Sequence, residues 1–264
     1  MTKSTEEVRY TPIRSLVRGM DVLQTVNREG SVTLTRICEL TGLPYPTVFR
    51  IMQTLISSGY VECEPTRKWY RATLLTKSLS SGFHDDSRLV KVARPYIVKL
   101  TDKFTWPISI TTRVGNMMMV RDSTHSLTSL TLSNYAPGFT LPIAECSTGK
   151  VYLAFCSDEE RRIIRKGFDV MESPADRMGA MLMDGESLLT DIRQKGYATQ
   201  ARNTYTSNPG KTSSVAVPLM HEGRIFGCMA IIFFTVGMKM EKAQETFVED
   251  LKASAAEISA HLSN

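Results

Sequence analysis

The sequence predicts an α+β fold, with a small helical N-terminal domain and a larger C-terminal domain built on a mainly antiparallel sheet. Three observations support this prediction. Apolar residues recur at helical spacing between residues 16 and 57. Short strand-like runs form two groups, within 107–132 and 212–235. Amphipathic segments at 89–104 and 240–262 accompany these groups, as expected when helices cover an antiparallel sheet.

The N-terminal domain begins with a predicted helix whose apolar face carries Leu16, Val17, Met20, Leu23 and Val26. A second helix follows, and its apolar series recurs at the 3-4-3 rhythm of a helix that buries one face. This series consists of Leu34, Ile37, Leu40 and Leu43. Gly42 is expected to end the second helix, because glycine readily adopts the left-handed conformation found there.

Pro44 and Pro46 suit the start of a third helix, where a missing N–H costs nothing. Its predicted buried stripe is Val48, Ile51, Met52 and Leu55. The opposite face carries polar groups at Tyr45, Thr47, Arg50, Gln53 and Ser57. Arginine and glutamine make paired hydrogen bonds to guanine and adenine edges in the major groove. The pattern therefore predicts a DNA-reading helix-turn-helix, and the alternative is a three-helix packing unit with a polar exterior.

A charged hairpin is predicted directly after these helices. Residues 60–63 and 69–72 read as two strands, and the turn between them carries Arg67 and Lys68. A basic hairpin beside a reading helix suits contacts to phosphates or to the minor groove. We therefore predict a winged helix-turn-helix over residues 11–73, with double-stranded promoter DNA as its partner. The candidate DNA contacts are Arg14, Arg18, Thr35, Tyr45, Thr47, Arg50, Gln53, Arg67 and Lys68.

The charge distribution agrees with this prediction. Residues 1–82 contain 11 Lys and Arg against 7 Asp and Glu, whereas the remaining residues contain 21 against 20. Most of the net charge of +5 therefore lies on the segment that would neutralise phosphates.

Composition narrows the remaining classes of protein. The longest strongly apolar stretch, residues 228–234, is far too short to span a bilayer. Residues 1–10 are polar, lack the apolar core of a signal peptide and are expected to form a flexible tail. A cytoplasmic protein without a membrane partner is therefore expected.

The cysteines and histidines indicate neither a metal site nor a cofactor. The five cysteines are scattered, with no CxxC pair, and suit buried free thiols in a reducing compartment. No two of the four histidines have the i,i+4 or HxH spacing of metal ligands.

After the hairpin, residues 74–87 are predicted to form a linker helix, and residues 88–264 a second domain. Leu75, Leu79 and Phe83 form an apolar stripe on the linker that suits pairing of two chains. One reading helix covers only a few base pairs, so specificity requires at least a dimer on repeated half-sites. The alternative is that the stripe belongs to an ordinary core.

Taken together, the features of residues 12–262 resemble the IclR family of bacterial transcriptional regulators. The segments that carry the resemblance are LTRICELTGLPYPTVFRIMQTL (34–55), LPIAECSTGKVYLAF (141–155) and SSVAVPLMHEGRIFGCMAI (213–231). The resemblance implies a winged helix-turn-helix joined by a linker helix to a GAF-like effector-binding domain. It also implies dimers, often paired into tetramers.

Further stretches are similar to activators of aromatic-acid degradation, especially those that respond to hydroxyphenylpropionate-type compounds. They are SSGFHDD (80–86), Trp106-Pro107, VRDSTH (120–125), LAFC (153–156) and SVAVPL (214–219). This similarity implies an activator of a catabolic operon, a small aromatic carboxylic acid as effector, and RNA polymerase as a partner. In one departure from the family, whose last core strand often has two serines that face the effector, Ala230 and Ile232 occupy the serine positions, which suits an effector with an apolar or aromatic body.

An effector site is expected where residues 146–149 begin a helix, because the first N–H groups of a helix carry partial positive charge and suit a carboxylate. Aromatic residues nearby would enclose the ring of the effector. An arginine would add a second charge contact, and Arg113 is a further candidate for this role. The aromatic residues otherwise belong to the core, and Ser147 to a plain helix cap. The candidate effector contacts are Trp106, Met119, Arg121, Phe139, Leu141, Cys146, Ser147, Thr148, Gly149, Tyr152, Arg202, Ser214, Met229 and Ile231.

An enzyme is the main competing hypothesis. Ser147 and Lys150 form an S-x-x-K, and residues 211–213 are similar to the K-T-G of penicillin-recognising enzymes, which use an acyl-enzyme serine. No S-D-N element accompanies them, and an enzyme would leave the DNA module unexplained. A phosphate-binding loop at Gly149-Lys150 fails, because Ala144 and Val151 replace the required glycine and hydroxyl. We therefore expect a non-enzyme; an interaction protein with a degenerate helix-turn-helix is the remaining class, which a gel shift on promoter DNA would distinguish.

Overall fold

The structure is a computed structural model that describes residues 13–81, 88–130, 135–170, 177, 179–181, 183, 185–201 and 211–263. The chain divides into two compact units, Met1–Asp85 and Asp86–Asn264. The tail expected at residues 1–10 lies outside the described residues. Within the described ranges, no helix is long and apolar enough to cross a membrane.

The first unit contains three helices followed by a two-stranded antiparallel sheet. Thr33 caps the second helix by accepting a hydrogen bond from the N–H of Arg36, and Gly42 ends it with φ 67°. Val22, Val26, Ile37, Val48 and Met52 are fully buried between the helices. The elements are α1 (Arg14–Glu29), α2 (Leu34–Thr41), α3 (Tyr45–Ser57), β1 (Val61–Cys63) and β2 (Tyr70–Ala72).

Helix α1 differs from the sequence expectation in its first half. Leu16, Val17 and Met20 are exposed, although they continue the apolar pattern of the helix. The buried residues of α1 all lie between Val22 and Val26. The small core that α2 and α3 provide therefore covers only the second half of α1, and periodicity alone could not reveal how far that core extends.

The segment after the hairpin also differs from the expected linker helix. Leu74–Ser80 is a 3-10 helix, and residues 82–87, with Phe83, lie outside the described residues. The hydroxyls of Thr76, Ser78 and Ser80 each donate to the carbonyl three residues earlier, at 2.8, 2.7 and 2.9 Å. Such bonds compete for the carbonyls that an α-helix would use, which accounts for the tighter turn.

The second unit is built on a six-stranded antiparallel sheet with the strand order β5-β4-β3-β8-β7-β6. Its strands are β3 (Ile108–Val114), β4 (Met117–Ser123), β5 (Thr140–Pro142), β6 (Ala198–Gln200), β7 (Thr212–His221) and β8 (Arg224–Phe234). Its helices are α4 (Arg88–Phe104), α5 (Ser147–Phe155), α6 (Asp158–Val170), α7 (Glu186–Lys195) and α8 (Met240–Ser263). The α+β prediction is confirmed. The strand-like run at 127–132 is not a strand in its described part, because Leu127 ends a short 3-10 helix.

The two faces of the sheet bury different cores. One face packs Ile108, Ile110, Met229, Ile231 and Phe233 against α4 and α8. The other face packs Met118, Ala216, Cys228 and Ala230 together with residues of α5, α6 and α7. Alternate residues of β8 therefore face opposite cores, as the period of two along a strand requires.

The first turn of α5 lies unusually close to the short 3-10 helix Ile143–Glu145 that precedes it. A Cβ added to Gly149 would overlap the backbone carbonyl of Ile143. Only glycine permits this approach, which fixes where the N-terminus of α5 lies above the sheet.

Replacing Gly149 with alanine is therefore expected to lower the free energy of unfolding by about 1–3 kcal/mol, the usual cost of overpacking. The measurement is urea unfolding of the full chain. Gly19→Ala is the control, because nothing lies within 4 Å of a Cβ at that position in α1. Helix propensity predicts that this control is as stable as the natural chain or more stable, by up to ~1 kcal/mol. A Gly149→Ala variant with unchanged stability would contradict the close approach.

Candidate functional site

The exposed face of α3 presents a mixed polar and aromatic surface. Arg50 and Gln53 are exposed on this face, whereas Val48 and Met52 are fully buried beneath it. The helix begins after Pro44 and contains Pro46 in its first turn, as the sequence predicts. Thr47 is half-buried. The two side chains that suit purine edges are therefore both available to a partner.

The remaining candidate DNA contacts are also on the surface of the first unit. Arg14 and Arg18 are exposed on α1, and Thr35 is exposed in the first turn of α2. Arg67 and Lys68 are exposed in the turn between β1 and β2. That turn is closed by hydrogen bonds from the N–H of Glu64 to the carbonyl of Trp69 at 2.8 Å and from the N–H of Lys68 to the carbonyl of Glu64 at 3.0 Å. The hairpin therefore holds two cations in a defined turn.

A cavity of about 60 Å³ lies in the second unit, between the first turn of α5 and the sheet. Hydroxyl side chains dominate its polar lining, and Glu145 adds a carboxylate. The lining residues are Ser109, Thr111, Val120, Tyr135, Leu141, Glu145, Cys146, Ser147, Thr148, Gln200, Ala201, Thr212, Ser213, Ser214, Ala230 and Ile232.

The N-terminus of α5 is capped by Cys146 and not by Ser147. The Cys146 sulfur accepts hydrogen bonds from the Gly149 N–H and the Thr148 hydroxyl, both at 3.3 Å. Burial raises the pKa of the Cys146 thiol, so this cap is neutral at physiological pH. Because the first N–H groups of a helix lack intrahelical partners, those of Ser147 and Thr148 are left to bind an anion at the cavity.

Two residues that line the cavity each have a buried side-chain atom with no hydrogen-bond partner among the described residues. These atoms are the Oγ1 of Thr111 and the Oε1 of Gln200. The Nε2 of Gln200 donates to the carbonyl of Ala201 at 3.2 Å, which fixes the orientation of the amide. A buried polar atom without a partner is costly, and an amide oxygen can only accept. The wall is therefore suited to a ligand that carries a hydrogen-bond donor.

The structure brings five of the candidate effector contacts together at this cavity: Leu141, Cys146, Ser147, Thr148 and Ser214. The hydroxyls of Ser147 and Ser214 form a hydrogen bond of 2.7 Å across the cavity wall, from α5 to β7. The start of α5 and strand β7 therefore meet at the cavity wall.

Met229 and Ile231, by contrast, do not line the cavity. They face the core beneath α4 and α8, while their neighbours Ala230 and Ile232 face the cavity. A shift of one residue on a strand exchanges the two faces, so Met229 and Ile231 were wrong as contacts, and Ala230 and Ile232, the effector-facing positions that the family resemblance gave, line the cavity.

Four more candidates have other roles. Trp106 packs edge-on against Phe233 and Phe234 in the opposite core, with ring centroids 6.4 and 5.7 Å away. Gly149 packs against Ile143. Tyr152 donates to Glu160 at 2.6 Å. Arg113 also donates to Glu160, at 2.9 Å, so both side chains serve a structural cluster away from the cavity.

The last candidates either do not line the cavity or lie outside the described residues. Met119 pairs with Thr140 of β5, and Arg121 donates to the Thr112 hydroxyl at 3.3 Å. Phe139 packs edge-on against Tyr135, which does line the cavity, with ring centroids 5.5 Å apart. Arg202 lies outside the described residues.

The S-x-x-K pair is not arranged for acyl transfer. The Ser147 hydroxyl pairs with Ser214, whereas the Nζ of Lys150 donates to the backbone carbonyl of Thr199 at 3.3 Å. Burial lowers the pKa of Lys150, but that amine has a structural partner and makes no hydrogen bond to Ser147. Among the described residues, no group of three or more His, Cys, Asp or Glu is placed to hold a metal ion.

Several polar lining residues were not predicted from the sequence. Ser109 and Thr111 alternate with the buried Ile108 and Ile110 on β3, so polar residues at a period of two in an otherwise apolar strand were a usable signal. Gln200 gave no local signal, because it reaches the cavity through pairing of β6 with β7, opposite Ser214.

Comparison with known proteins agrees with this architecture. Residues 15–65 match the IclR helix-turn-helix domain, and residues 83–260 match the bacterial transcriptional regulator IclR C-terminal family. The DNA-binding transcriptional repressor YiaJ of Escherichia coli (strain K12) is 24% identical over 97% of this chain and 90% of its own. The HTH-type transcriptional regulator TsaQ1/TsaQ2 of Comamonas testosteroni is 24% identical, over 59% of this chain and 56% of its own length.

Among solved structures, an IclR homolog from Microbacterium hydrocarbonoxydans complexed with 4-hydroxybenzoate superposes with a TM-score of 0.60. It is 21% identical and covers 94% of this chain and 98% of its own, which shows a common fold. The two family matches together span both units. The chain belongs to the IclR family and is a DNA-binding transcriptional regulator.

Proposed function

We propose that this protein activates a catabolic operon when a small aromatic carboxylic acid binds in the cavity beneath α5. The observation that carries the proposal is the cavity wall, which combines the start of α5, where the first N–H groups have no helical partner, with residues Thr111 and Gln200, each of which has a buried polar atom without a hydrogen-bond partner among the described residues. The two kinds of group favour different parts of a ligand. The start of the helix favours an anionic group, and the Gln200 side-chain oxygen favours a hydrogen-bond donor.

The carboxylate of the effector binds the N–H groups of Ser147 and Thr148. Its apolar body then lies against Val120, Leu141 and Ile232, which line the same cavity. A cavity of about 60 Å³ favours a small acid. Glu145 also lines the cavity and adds to its polar wall.

A ring hydroxyl satisfies the remaining polar atoms. It donates to the Oε1 of Gln200 and lies within the polar wall to which Thr111 contributes. The Microbacterium hydrocarbonoxydans homolog, in complex with 4-hydroxybenzoate, holds an acid with both of these groups. That likeness supports hydroxylated aromatic acids over unsubstituted ones for this chain.

At the operator, α3 enters the major groove and Arg50 contacts a base, with Tyr45, Thr47 and Gln53 near bases or the DNA backbone. Arg67 and Lys68 on the hairpin bind phosphates. Arg14, Arg18 and Thr35 add further contacts to the DNA backbone.

The protein acts in the cytoplasm, and as an activator it also engages RNA polymerase.

The protein assembles at least as a dimer on DNA, and further into a tetramer where two dimers pair. Ile13, Leu16, Val17 and Met20 are exposed at the i, i+3, i+4, i+7 spacing of one helical face, a pattern expected of a surface covered by a second copy. Leu75 and Leu79, exposed on the linker segment, extend the apolar surface available for pairing. Light scattering that gave a monomer both free and on DNA would contradict this assembly.

The proposed base contact predicts a specific defect for Arg50→Ala. Loss of a paired hydrogen bond to guanine should cost about 1–3 kcal/mol of operator binding and relax the preference at one base pair. The measurement is selection of binding sites from random DNA, followed by anisotropy titrations. The matched comparison is Arg67→Ala, which should weaken all sequences alike and reduce the slope of log affinity against log salt by about 1. An unchanged DNA consensus and an unchanged operator affinity of the Arg50→Ala variant would contradict the proposed base contact.

The proposed effector contact predicts a selective defect for Gln200→Leu. The dissociation constant for a ring-hydroxylated acid should rise about tenfold, because an unpaired donor in a buried site costs ~1–3 kcal/mol. Affinity for the same acid without the hydroxyl should change little. Calorimetry with hydroxyphenylpropionate, phenylpropionate, 4-hydroxybenzoate and benzoate measures both. Gln194→Leu, an exposed position on α7, is the control. A Gln200→Leu variant that weakens both kinds of acid equally would contradict the hydroxyl assignment.

A further inference from the structure

Helix α3 exposes two aromatic rings that the arginine and hairpin contacts do not use. Tyr45 is 53% exposed and Phe49 is 43% exposed, although Val48 and Met52 on the same helix are fully buried. The two rings stack on one another, with centroids 6.4 Å apart and planes inclined by 11°. An exposed ring of this size normally contributes to a core or an interface. The stacking also limits the motion of Phe49, so the pair offers a defined apolar surface.

The aromatic pair shares its face of α3 with the candidate base-reading side chains. Phe49 directly precedes Arg50 and lies four residues before Gln53, and residues four apart are neighbours on one helical face. All three are exposed. A partner that reaches Arg50 and Gln53 therefore also meets the ring of Phe49.

The charge of α3 favours one class of binding partner. The sequence of α3, YPTVFRIMQTLIS, contains no acidic residue, and its one charged residue is Arg50. Exposed helix faces usually mix acidic and basic residues, so a face with aromatic and cationic groups and no carboxylate suits a polyanion. Duplex DNA is that polyanion. Its major groove presents one apolar group, the C5-methyl of thymine, and phenylalanine is among the side chains that contact it.

We propose that Phe49, held in place by Tyr45, contacts a thymine methyl group and selects an A·T pair next to the bases that Arg50 and Gln53 read. This inference rests on the proposed DNA-reading role of α3. It adds a specificity determinant that acts through apolar contact and not through hydrogen bonds. The operator half-site therefore contains at least one thymine at which the methyl group itself contributes to affinity.

Deoxyuridine tests the contact, because it differs from thymidine only by the missing methyl. An operator is first selected from random DNA with the full chain, and each thymine of the half-site is then replaced in turn by deoxyuridine. At one thymine per half-site, the natural protein should bind the uracil operator about fourfold more weakly, the effect of one buried methyl-sized group. Phe49→Ala should bind the selected operator more weakly and bind the thymine and uracil forms equally.

Two matched variants show whether the ring itself is responsible. Thr54→Ala, at an exposed position of the same helix that is assigned no DNA contact, keeps the aromatic pair and should retain the fourfold dependence on the methyl. Phe49→Leu keeps an apolar side chain and should retain part of it. Because Phe49 is partly exposed, thermal unfolding of Phe49→Ala should match that of the natural chain, and size-exclusion chromatography should show an unchanged oligomer.

Three results would overturn the inference. Specific operator binding by the natural protein that is indifferent to every uracil replacement would reject the methyl contact while leaving the DNA-reading role intact. The methyl dependence could persist in Phe49→Ala, which would assign it to another residue. A change of oligomeric state in Phe49→Ala would assign the aromatic pair to contact between copies of this chain. Failure to select any DNA would reject the proposed function itself.

Discussion

The close approach of α5 to the 3-10 helix before it is the constraint on which the sensing site depends. Gly149 lets the helix begin directly against the carbonyl of Ile143, so the first N–H groups lie above the polar part of the sheet. A helix that began further away would leave these groups to solvent. A bulkier residue at Gly149 would push the helix start off the wall that Ser147 and Ser214 now close with a hydrogen bond of 2.7 Å.

The sheet completes the site by presenting different chemistry on its two faces. On β3 the isoleucines face α4 and α8, and Ser109 and Thr111 face the cavity. On β8 the cavity side is apolar, at Ala230 and Ile232. Hydrogen-bonding groups and an apolar patch therefore line one small space, which is the combination that an acid with an aromatic body requires. The opposite face of the sheet, beneath α4 and α8, packs as an ordinary core.

Sequence patterns predicted the secondary-structure elements better than they predicted which residues those elements contact. The period of 3.6 placed α3 correctly, because that helix buries one continuous stripe. Leu16 is exposed against the pattern, because periodicity does not show how far a core extends. Leu74–Ser80 is a 3-10 helix against the pattern, because periodicity does not show that hydroxyls compete for backbone carbonyls. For the cavity, the helix start at Cys146 was predictable from local sequence. On β8 the family resemblance gave the effector-facing positions, Ala230 and Ile232, whereas the choice of Met229 and Ile231 as contacts was out of register by one residue. Gln200 was not predictable, because it joins the site only through strand pairing.

Amide hydrogen exchange of the full-length protein, with and without a hydroxylated aromatic acid, tests the central claim most directly. If the acid binds at the start of α5, exchange should slow in residues 140–149 and in the segment of β7 around Ser214, where the acid orders the wall. The hairpin of β1 and β2 is the internal reference for any effect transmitted to the first unit. Protection confined to other parts of the sheet, with residues 146–149 unchanged, would contradict the account.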